Sequence, residues 1–152
     1  MASFKCFSSW QQRNDKSANA DISGHEESAN RKFINAIDGF TCPHAKKFSY
    51  FGTKNANSGW LQVDLKGFYT LKSVRIPVIV ASSFPGLEYR FGNESKADNY
   101  ESNPVLVANS EEFYTGQILE IYPPVPLVGR YFLIQQNPIT DMHITEVQIL
   151  AE

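Results

Sequence analysis

Apolar residues occupy alternate positions in short segments from Trp60 onward, and this pattern restricts the chain to folds built of strands. In the first segment Leu61, Val63 and Leu65 share one side, as expected of a strand with one buried face. Turn residues separate the segments and no helical period lies between them. An α/β fold is therefore excluded, and an all-β, antiparallel β-sandwich of roughly seven strands is predicted. The further candidate strands are residues 73–81, 87–91, 104–108, 117–122, 130–135 and 144–150.

The same alternation predicts the core, which should contain Leu61, Val63, Ile76, Val78, Tyr89, Phe132 and Ile134. Pro77 lies inside segment 73–81 and has no N–H to donate, so a sheet edge or a bulge is expected there. The first 59 residues are polar and rich in turn residues. Among them only residues 28–36 could hold one or two helical turns.

Composition and charge narrow the classes of function. With 152 residues, of which 42% are hydrophobic, the chain suits one domain, residues 1–152, with one core. The net charge is −2 and the basic residues are scattered, which argues against a nucleic-acid partner. No apolar run approaches the roughly 20 residues of a membrane-spanning helix. The sequence does not decide whether the chain forms a homo-oligomer.

Two features bear on the cellular compartment, and neither decides it. The first residues lack the apolar core of a signal peptide, so the chain is either cytosolic or has lost a leader. Cys6 and Cys42 permit at most one internal disulfide, and whether they pair is left open.

Catalytic patterns are missing from the sequence. His25, His44 and His143 do not have the spacing of a metal-binding motif, and there is no Gly-x-Ser-x-Gly or phosphate-binding loop. His25 and Glu26 could act as an acid–base pair, but polar loops bring such neighbours together by chance. We therefore expect a protein that is not an enzyme.

Four segments in a fixed order resemble the discoidin, or coagulation-factor C-domain, family, and most of all its F-type lectin branch. They are Asn-Ala-Ile-Asp-Gly at 35–39, Trp-Leu-Gln-Val-Asp-Leu at 60–65, Gly-Arg-Tyr at 129–131 and Thr-Glu-Val-Gln-Ile at 145–149. Phe91-Gly92-Asn93 and Asn103-Pro104 are weaker matches. The resemblance spans roughly residues 17 to 150 and implies an eight-stranded, galactose-binding-like jelly-roll sandwich.

Three motif residues also have structural explanations that need no family. Asp64 follows an apolar strand and is expected to pair with Arg130 or to cap a turn. The aliphatic stem of Arg130 can lie over the sheet. Trp60 supplies a large buried area at the mouth of the sandwich.

A structural calcium ion is implied by the resemblance. Its ligands would come from the loop after the Asn-Ala-Ile-Asp-Gly motif and from the last strand, namely Asn35, Asp38, Phe40, Ser49, Thr145 and Glu146. Phe40 could contribute only its main-chain carbonyl, and Thr145 mainly so. Calcium takes six to eight oxygens from such mixed sets, and an ion can order a long polar loop. Without the resemblance, Asp38 would form a turn with Gly39, and Glu146 would be a solvated strand residue.

The polar groups through which F-type lectins bind fucose are replaced in this chain. Gly52 stands at the position of the family's histidine, and residues 79–81, Ile-Val-Ala, stand at its Arg-x-Asp motif. The loop that should carry a second basic residue is shorter. Fucose binding at the usual place is therefore not expected.

The family's cysteines are also replaced, together with their partners, by Tyr50, Thr145, Leu106, Pro123, Ser82 and Ser83. A version without these disulfides suits a reducing compartment, or an extracellular protein that relies on calcium and its core. The resemblance favours an extracellular, secreted protein.

The loops at the mouth of the sandwich are the expected ligand surface. They place aromatic faces beside hydrogen-bond donors and an acceptor, in the set Glu26, His44, Lys46, Lys47, Tyr50 and Phe84. A glycan or glycoprotein is the first ligand class, and the two lysines favour acidic sugars. The alternative is an adhesion or structural domain that binds protein and has lost sugar binding. A phospholipid surface, reached by Phe84 at a loop tip, ranks third.

Overall fold

The computed structural model describes residues 16, 20–24, 51–52, 59–78, 81–136 and 142–152 of the chain. These residues are almost entirely strands and turns, with two short 3-10 helices at Ala81–Ser83 and Tyr100–Ser102. The strands are β1 (Asp21–Gly24), β2 (Phe51–Gly52), β3 (Trp60–Pro77), β4 (Glu88–Gly92), β5 (Val107–Ala108), β6 (Ile118–Tyr122), β7 (Val128–Gln135), β8 (His143–Ile144) and β9 (Gln148–Ala151). In this described part, no helix is long and apolar enough to cross a membrane.

The long strand β3 is shared by two antiparallel sheets. Its first half lies between β1 and β7, and β4 follows β7. Its second half lies between β9 and β6, and β5 follows β6. The pairing with β7 shifts register between Asp64 and Tyr69, where Lys66 has a positive φ of 62°. Strands β2 and β8 form a separate two-stranded sheet.

One apolar core joins the inner faces of both sheets, and the prediction of an antiparallel β-sandwich is confirmed. Leu61 and Val63 from the first half of β3 and Ile76 from its second half are all fully buried. Alternation puts these residues on inner faces, because successive side chains of a strand point to opposite sides. Every residue predicted for the core is buried, with Tyr89 at 5% exposure and the others at 0%.

The predicted strand boundaries are wrong in three places. Segments 60–65 and 73–81 belong to the single strand β3, which ends at Pro77, while Ala81 begins a 3-10 helix. Segment 104–108 shortens to β5 and an isolated bridge between Arg90 and Val105. Segment 144–150 is divided into β8 and β9.

Pro77 lies where β3 has one partner, as the edge prediction requires. Its partner is Ile118 of β6, and the pairing of β3 with β9 ends two residues earlier, at Arg75. A residue without an N–H is tolerated at this point because no second strand needs its donor.

Asp64 makes both of the interactions predicted for it. Arg130 Nε donates to Asp64 Oδ1 at 2.7 Å and the second guanidinium nitrogen donates to Oδ2 at 2.9 Å. The backbone N–H of Lys66 donates to the same Oδ1 at 2.8 Å, which caps the turn where the register shifts. The hydrogen bonds from Arg130 lower the pKa of Asp64 more than burial raises it. Asp64 of β3 and Arg130 of β7 thus hold the two strands together at the point where β3 passes from one sheet to the other.

Replacing Asp64 with asparagine is expected to change how steeply the free energy of unfolding falls at acid pH. Because the folded-state pKa of Asp64 lies below its ordinary value of 3.8, the stabilising charge is fully present above that pH and is lost as pH falls through the lowered pKa. The free energy of unfolding of Asp64→Asn should therefore fall less steeply below pH about 4 than that of the wild type. Urea unfolding at a series of pH values measures this. The control is Asp21→Asn, which removes a carboxylate from an exposed ion pair with Lys66. If the free energy of unfolding falls equally steeply at acid pH for Asp64→Asn and the wild type, the pairing of Asp64 with Arg130 is contradicted.

Candidate functional site

One end of the sandwich gathers the starts of β3 and β4 and the end of β7. Gln135 lies opposite Trp60 on one side and opposite Glu88 on the other. The segment that precedes β4, residues 81–87, therefore lies at this end, which we call the mouth. Trp60 is partly buried there, in the position predicted for it.

The mouth also includes the small sheet of β2 and β8. Ser83 Oγ lies 2.6 Å from His143 Nδ1 in β8, although 60 positions separate the two residues. Ser83 is 2% exposed, so this hydrogen bond ties the 81–83 turn to β8. Ser83 stands where the resembled family has a cysteine, and a polar contact thus forms there.

His143 is a residue whose place in the site the sequence did not predict. It lies directly opposite Gly52, the position at which F-type lectins carry their histidine. Directly opposed residues of an antiparallel pair share one face of the sheet. The imidazole of His143 therefore stands on the face to which a side chain at position 52 would point. Only the register of β2 against β8 reveals this, and a sequence does not show the register of two short strands.

Phe84 does not form an exposed loop tip, so the expectation of an apolar side chain exposed there is wrong. The ring is 1% exposed and packs against Phe113, with 5.8 Å between ring centroids. Pro85 and Gly86 are exposed in its place. A Phe next to a Pro-Gly turn can point inwards, and burial of its large apolar area favours that orientation. The phospholipid hypothesis loses the one residue that supported it.

Two of the predicted calcium ligands lie in the described part, and both are buried. Thr145 and Glu146 connect β8 to β9, and each is 2% exposed. The Thr145 hydroxyl has no hydrogen-bond partner in the structure as described. The alternative in which Glu146 is a solvated strand residue is therefore wrong. A buried carboxylate that follows a buried, unpartnered hydroxyl in the sequence offers two oxygens of the kind that a hard cation takes.

The other predicted site residues lie outside the described residues. They are Asn35, Asp38, Phe40 and Ser49 of the calcium set, and Glu26, His44, Lys46, Lys47 and Tyr50 of the ligand set. Cys6, Cys42, Ile79 and Val80 lie outside them as well. Within the described ranges, no three His, Cys, Asp or Glu residues are grouped so that they could hold a metal ion.

Comparison with known proteins finds similarity in sequence and in fold. No protein-family model matches the chain. A fucolectin from Anguilla anguilla is 28% identical over 131 residues, which cover 82% of this chain and 79% of the relative.

Two solved structures are similar in fold. The F-lectin (fucolectin) from the serum of striped bass, Morone saxatilis, superposes with a TM-score of 0.77 at 20% identity and covers 91% of this chain and 48% of its own. The present chain thus spans about half the length of that lectin. The lectin domain of lectinolysin, complexed with Lewis B antigen, gives a TM-score of 0.70 at 16% identity and covers 93% of this chain and 99% of its own. The resemblance expected from the motifs is confirmed: the chain is a homologue of a fucolectin and has the discoidin-like β-sandwich fold of the F-type lectins.

Proposed function

We propose that this chain is a non-catalytic glycan-recognition module that calcium stabilises. The observation that carries the proposal is its similarity to a fucolectin over 82% of the chain, together with the fold that it shares with a lectin domain complexed with a Lewis antigen. The relatives are lectins, and in the sequence we find no arrangement of residues typical of an enzyme. An extracellular location follows from the same proposal, since one relative is a serum lectin.

The proposed calcium site combines Glu146 and Thr145 with Asn35, Asp38, Phe40 and Ser49. The burial of Glu146 supports it together with the unpartnered hydroxyl of Thr145, because a cation would add positive charge beside a buried carboxylate and would satisfy that hydroxyl. When bound, the ion would supply that charge and link the segment between β8 and β9 to the polar loop after residue 39. Its proposed role is structural, so the folded chain should be more stable with calcium than without it.

The proposed sugar specificity differs from that of a fucose lectin. Gly52 has no side chain, and Ala81 has no hydrogen-bonding side chain in place of a carboxylate. His143 stands opposite Gly52, but its Nδ1 is already held by Ser83. We place the main glycan contacts on the mouth loops, at Glu26, His44, Lys46, Lys47 and Tyr50. Lys46 and Lys47 would favour acidic or sulfated sugars, and salt should weaken that attraction.

A glycan array tests this function directly. With calcium present, the chain should bind acidic glycans, and free fucose should give no heat in titration calorimetry at millimolar concentrations. The triple change Lys46→Ala, Lys47→Ala and Tyr50→Ala should weaken the best array ligand by about tenfold or more, because it removes two charges and one aromatic face. Fucose binding that is lost in Gly52→Val would contradict the proposed change of specificity.

A protein-binding adhesion domain is the second candidate. The loss of the usual polar groups at Gly52 and Ala81 favours it over a fucose lectin. An array on which no glycan binds, with or without calcium, would support this candidate and contradict the lectin proposal.

A further inference from the structure

One tripeptide of the chain has the acceptor pattern for N-linked glycosylation. Asn93 is the one asparagine in the sequence that is followed two positions later by serine or threonine with no proline between them, in Asn93-Glu94-Ser95. Such a tripeptide also occurs by chance, so its place in the fold decides whether it can carry a glycan. A glycan is bulky and hydrated, and a folded domain has room for it only where the asparagine lies at the surface.

Asn93 meets this condition, because it lies at a bend directly after β4. It is exposed, whereas Phe91 and Gly92 before it are buried. The ladder between β4 and β7 ends one residue earlier, with the pair of Gly92 and Tyr131. The chain therefore leaves the sheet at Asn93, and a sugar attached to the side chain would extend into solvent without separating two strands.

A structural role in the bend is the alternative explanation for Asn93, since asparagine side chains often bond to their own backbone in turns. The Asn93 side chain makes no hydrogen bond within the part of the chain that the structure describes. Asn103 holds this segment instead. Its side-chain oxygen accepts from the Glu94 N–H at 3.1 Å, and its side-chain amide donates to the Glu94 carbonyl at 2.7 Å. The bend is thus fixed by another residue, and the Asn93 amide is available for modification.

The site is also remote from the mouth. Strand β4 begins at the mouth with Glu88, and Asn93 follows its other end. At about 3.3 Å per residue, Asn93 lies roughly 16 Å further along the strand than Glu88. A glycan attached at this end would leave the mouth loops open to their own ligand.

We propose that Asn93 carries an N-linked glycan when the chain is secreted from a eukaryotic cell. The inference rests on the extracellular location that accompanies the proposed function. The donor would be an oligosaccharide joined to a lipid through a diphosphate. The Asn93 Nδ2 forms a bond to the anomeric carbon of the first sugar, and the bond from that carbon to the diphosphate oxygen breaks. The lipid diphosphate leaves with the bonding electrons and the amide loses one proton, so no oxidant or reductant is needed.

The test is secretion of the full chain from cultured eukaryotic cells behind a cleavable leader, followed by measurement of the intact mass. The wild type should carry the mass of one oligosaccharide, which peptide N-glycosidase should remove while converting Asn93 to aspartate. Asn93→Gln and Ser95→Ala should each lack that mass, whereas Ser95→Thr should keep it, because threonine also fits the pattern. Asn99→Gln is the matched control and should keep the mass, since Asn99 is exposed in the same loop and does not fit the pattern.

Two results would overturn the site. They are a wild-type chain secreted without the oligosaccharide, beside a reference glycoprotein that the same cells modify, and an oligosaccharide that remains on Asn93→Gln. Melting curves establish that each variant is folded.

The glycan array, run on chain treated with peptide N-glycosidase, separates this proposal from the lectin function. If the treated chain binds array glycans but Asn93 is never modified, the modification site fails and the lectin function stands. If Asn93 is modified but the treated chain binds no array glycan, the modification site stands and the lectin function fails.

Discussion

Replacing Gly129 with alanine is expected to lower the free energy of unfolding by about 3 kcal/mol, at the upper end of overpacking costs. A Cβ at this position would lie 2.9 Å from the Gly92 Cα, 2.9 Å from the Gly92 carbonyl oxygen and 2.9 Å from the Phe91 ring. Two of these atoms are backbone atoms, so β4 and β7 would have to move apart. Close-packed interiors resist such movement.

Chemical denaturation with urea measures this change. The matched control is Gly67→Ala, whose Cβ would have the Tyr69 side chain as its nearest contact, at 3.3 Å, and should cost less than about 1 kcal/mol. Equal stabilities of the two variants would show that β4 and β7 can separate without cost.

The same contact explains why several short sequence matches occur together. Gly129 lies against Gly92, and the side chain of Asn103 occupies the space where a Cβ on Gly92 would be. The Asn103 amide donates to the carbonyl of Glu94 at 2.7 Å and its oxygen accepts from the Glu94 N–H at 3.1 Å. The Gly-Arg-Tyr, Phe-Gly-Asn and Asn-Pro segments are weak signals separately. In the folded chain they form one packing unit.

The core could be predicted because burial of one face of a strand places apolar residues at alternate positions of the sequence. Leu61, Val63 and Ile76 alternate with residues that are more exposed, and this alternation holds whichever strand lies beside them. The union of segments 60–65 and 73–81 into β3 could not be predicted in this way. Lys66 and Gly67 have the character of a turn, yet the bulge at Lys66 redirects the strand without ending it.

The site was harder to predict than the core, because single residues decide it. The Pro-Gly turn beside Phe84 predicts an exposed tip, but turn residues do not show which neighbour points inwards, and Phe84 is buried. The contact of Ser83 with His143 depends on packing between distant segments. Glu146 falls in a segment that the sequence predicts to be a strand with a solvated acidic residue, whereas the structure places it in the connection between β8 and β9. Its burial is a property of the fold.

Addition of calcium to chelator-treated protein is expected to raise the melting temperature by about 5–10 °C. A ligand that binds only the folded state at a free concentration a hundredfold above its Kd contributes about 2.7 kcal/mol. For a chain of this length, each kcal/mol shifts the melting temperature by about 2–4 °C. Differential scanning calorimetry measures the shift. Magnesium is the ion control, because it is smaller and keeps its own waters.

The variants Asp38→Ala and Glu146→Gln should each abolish the rise, because each removes one of the two proposed carboxylate ligands. Glu101→Gln is the control for a lost carboxylate, since the side chain of Glu101 is exposed. An unchanged melting curve when calcium is added to the wild type would count against the proposed site. A full rise in Glu146→Gln would show that calcium binds elsewhere.

The sign of the Glu146→Gln effect separates a metal ligand from a residue that only supports packing. Removal of the proposed ion would take positive charge away from a carboxylate that is buried to 2% exposure, whereas a neutral amide of the same shape needs no such charge. In chelator, Glu146→Gln should therefore melt no lower than the wild type. With calcium it should melt lower, because only the wild type gains the ion. A variant that is less stable by the same amount in both conditions would assign Glu146 to a hydrogen-bonded structural role and leave calcium without its central ligand.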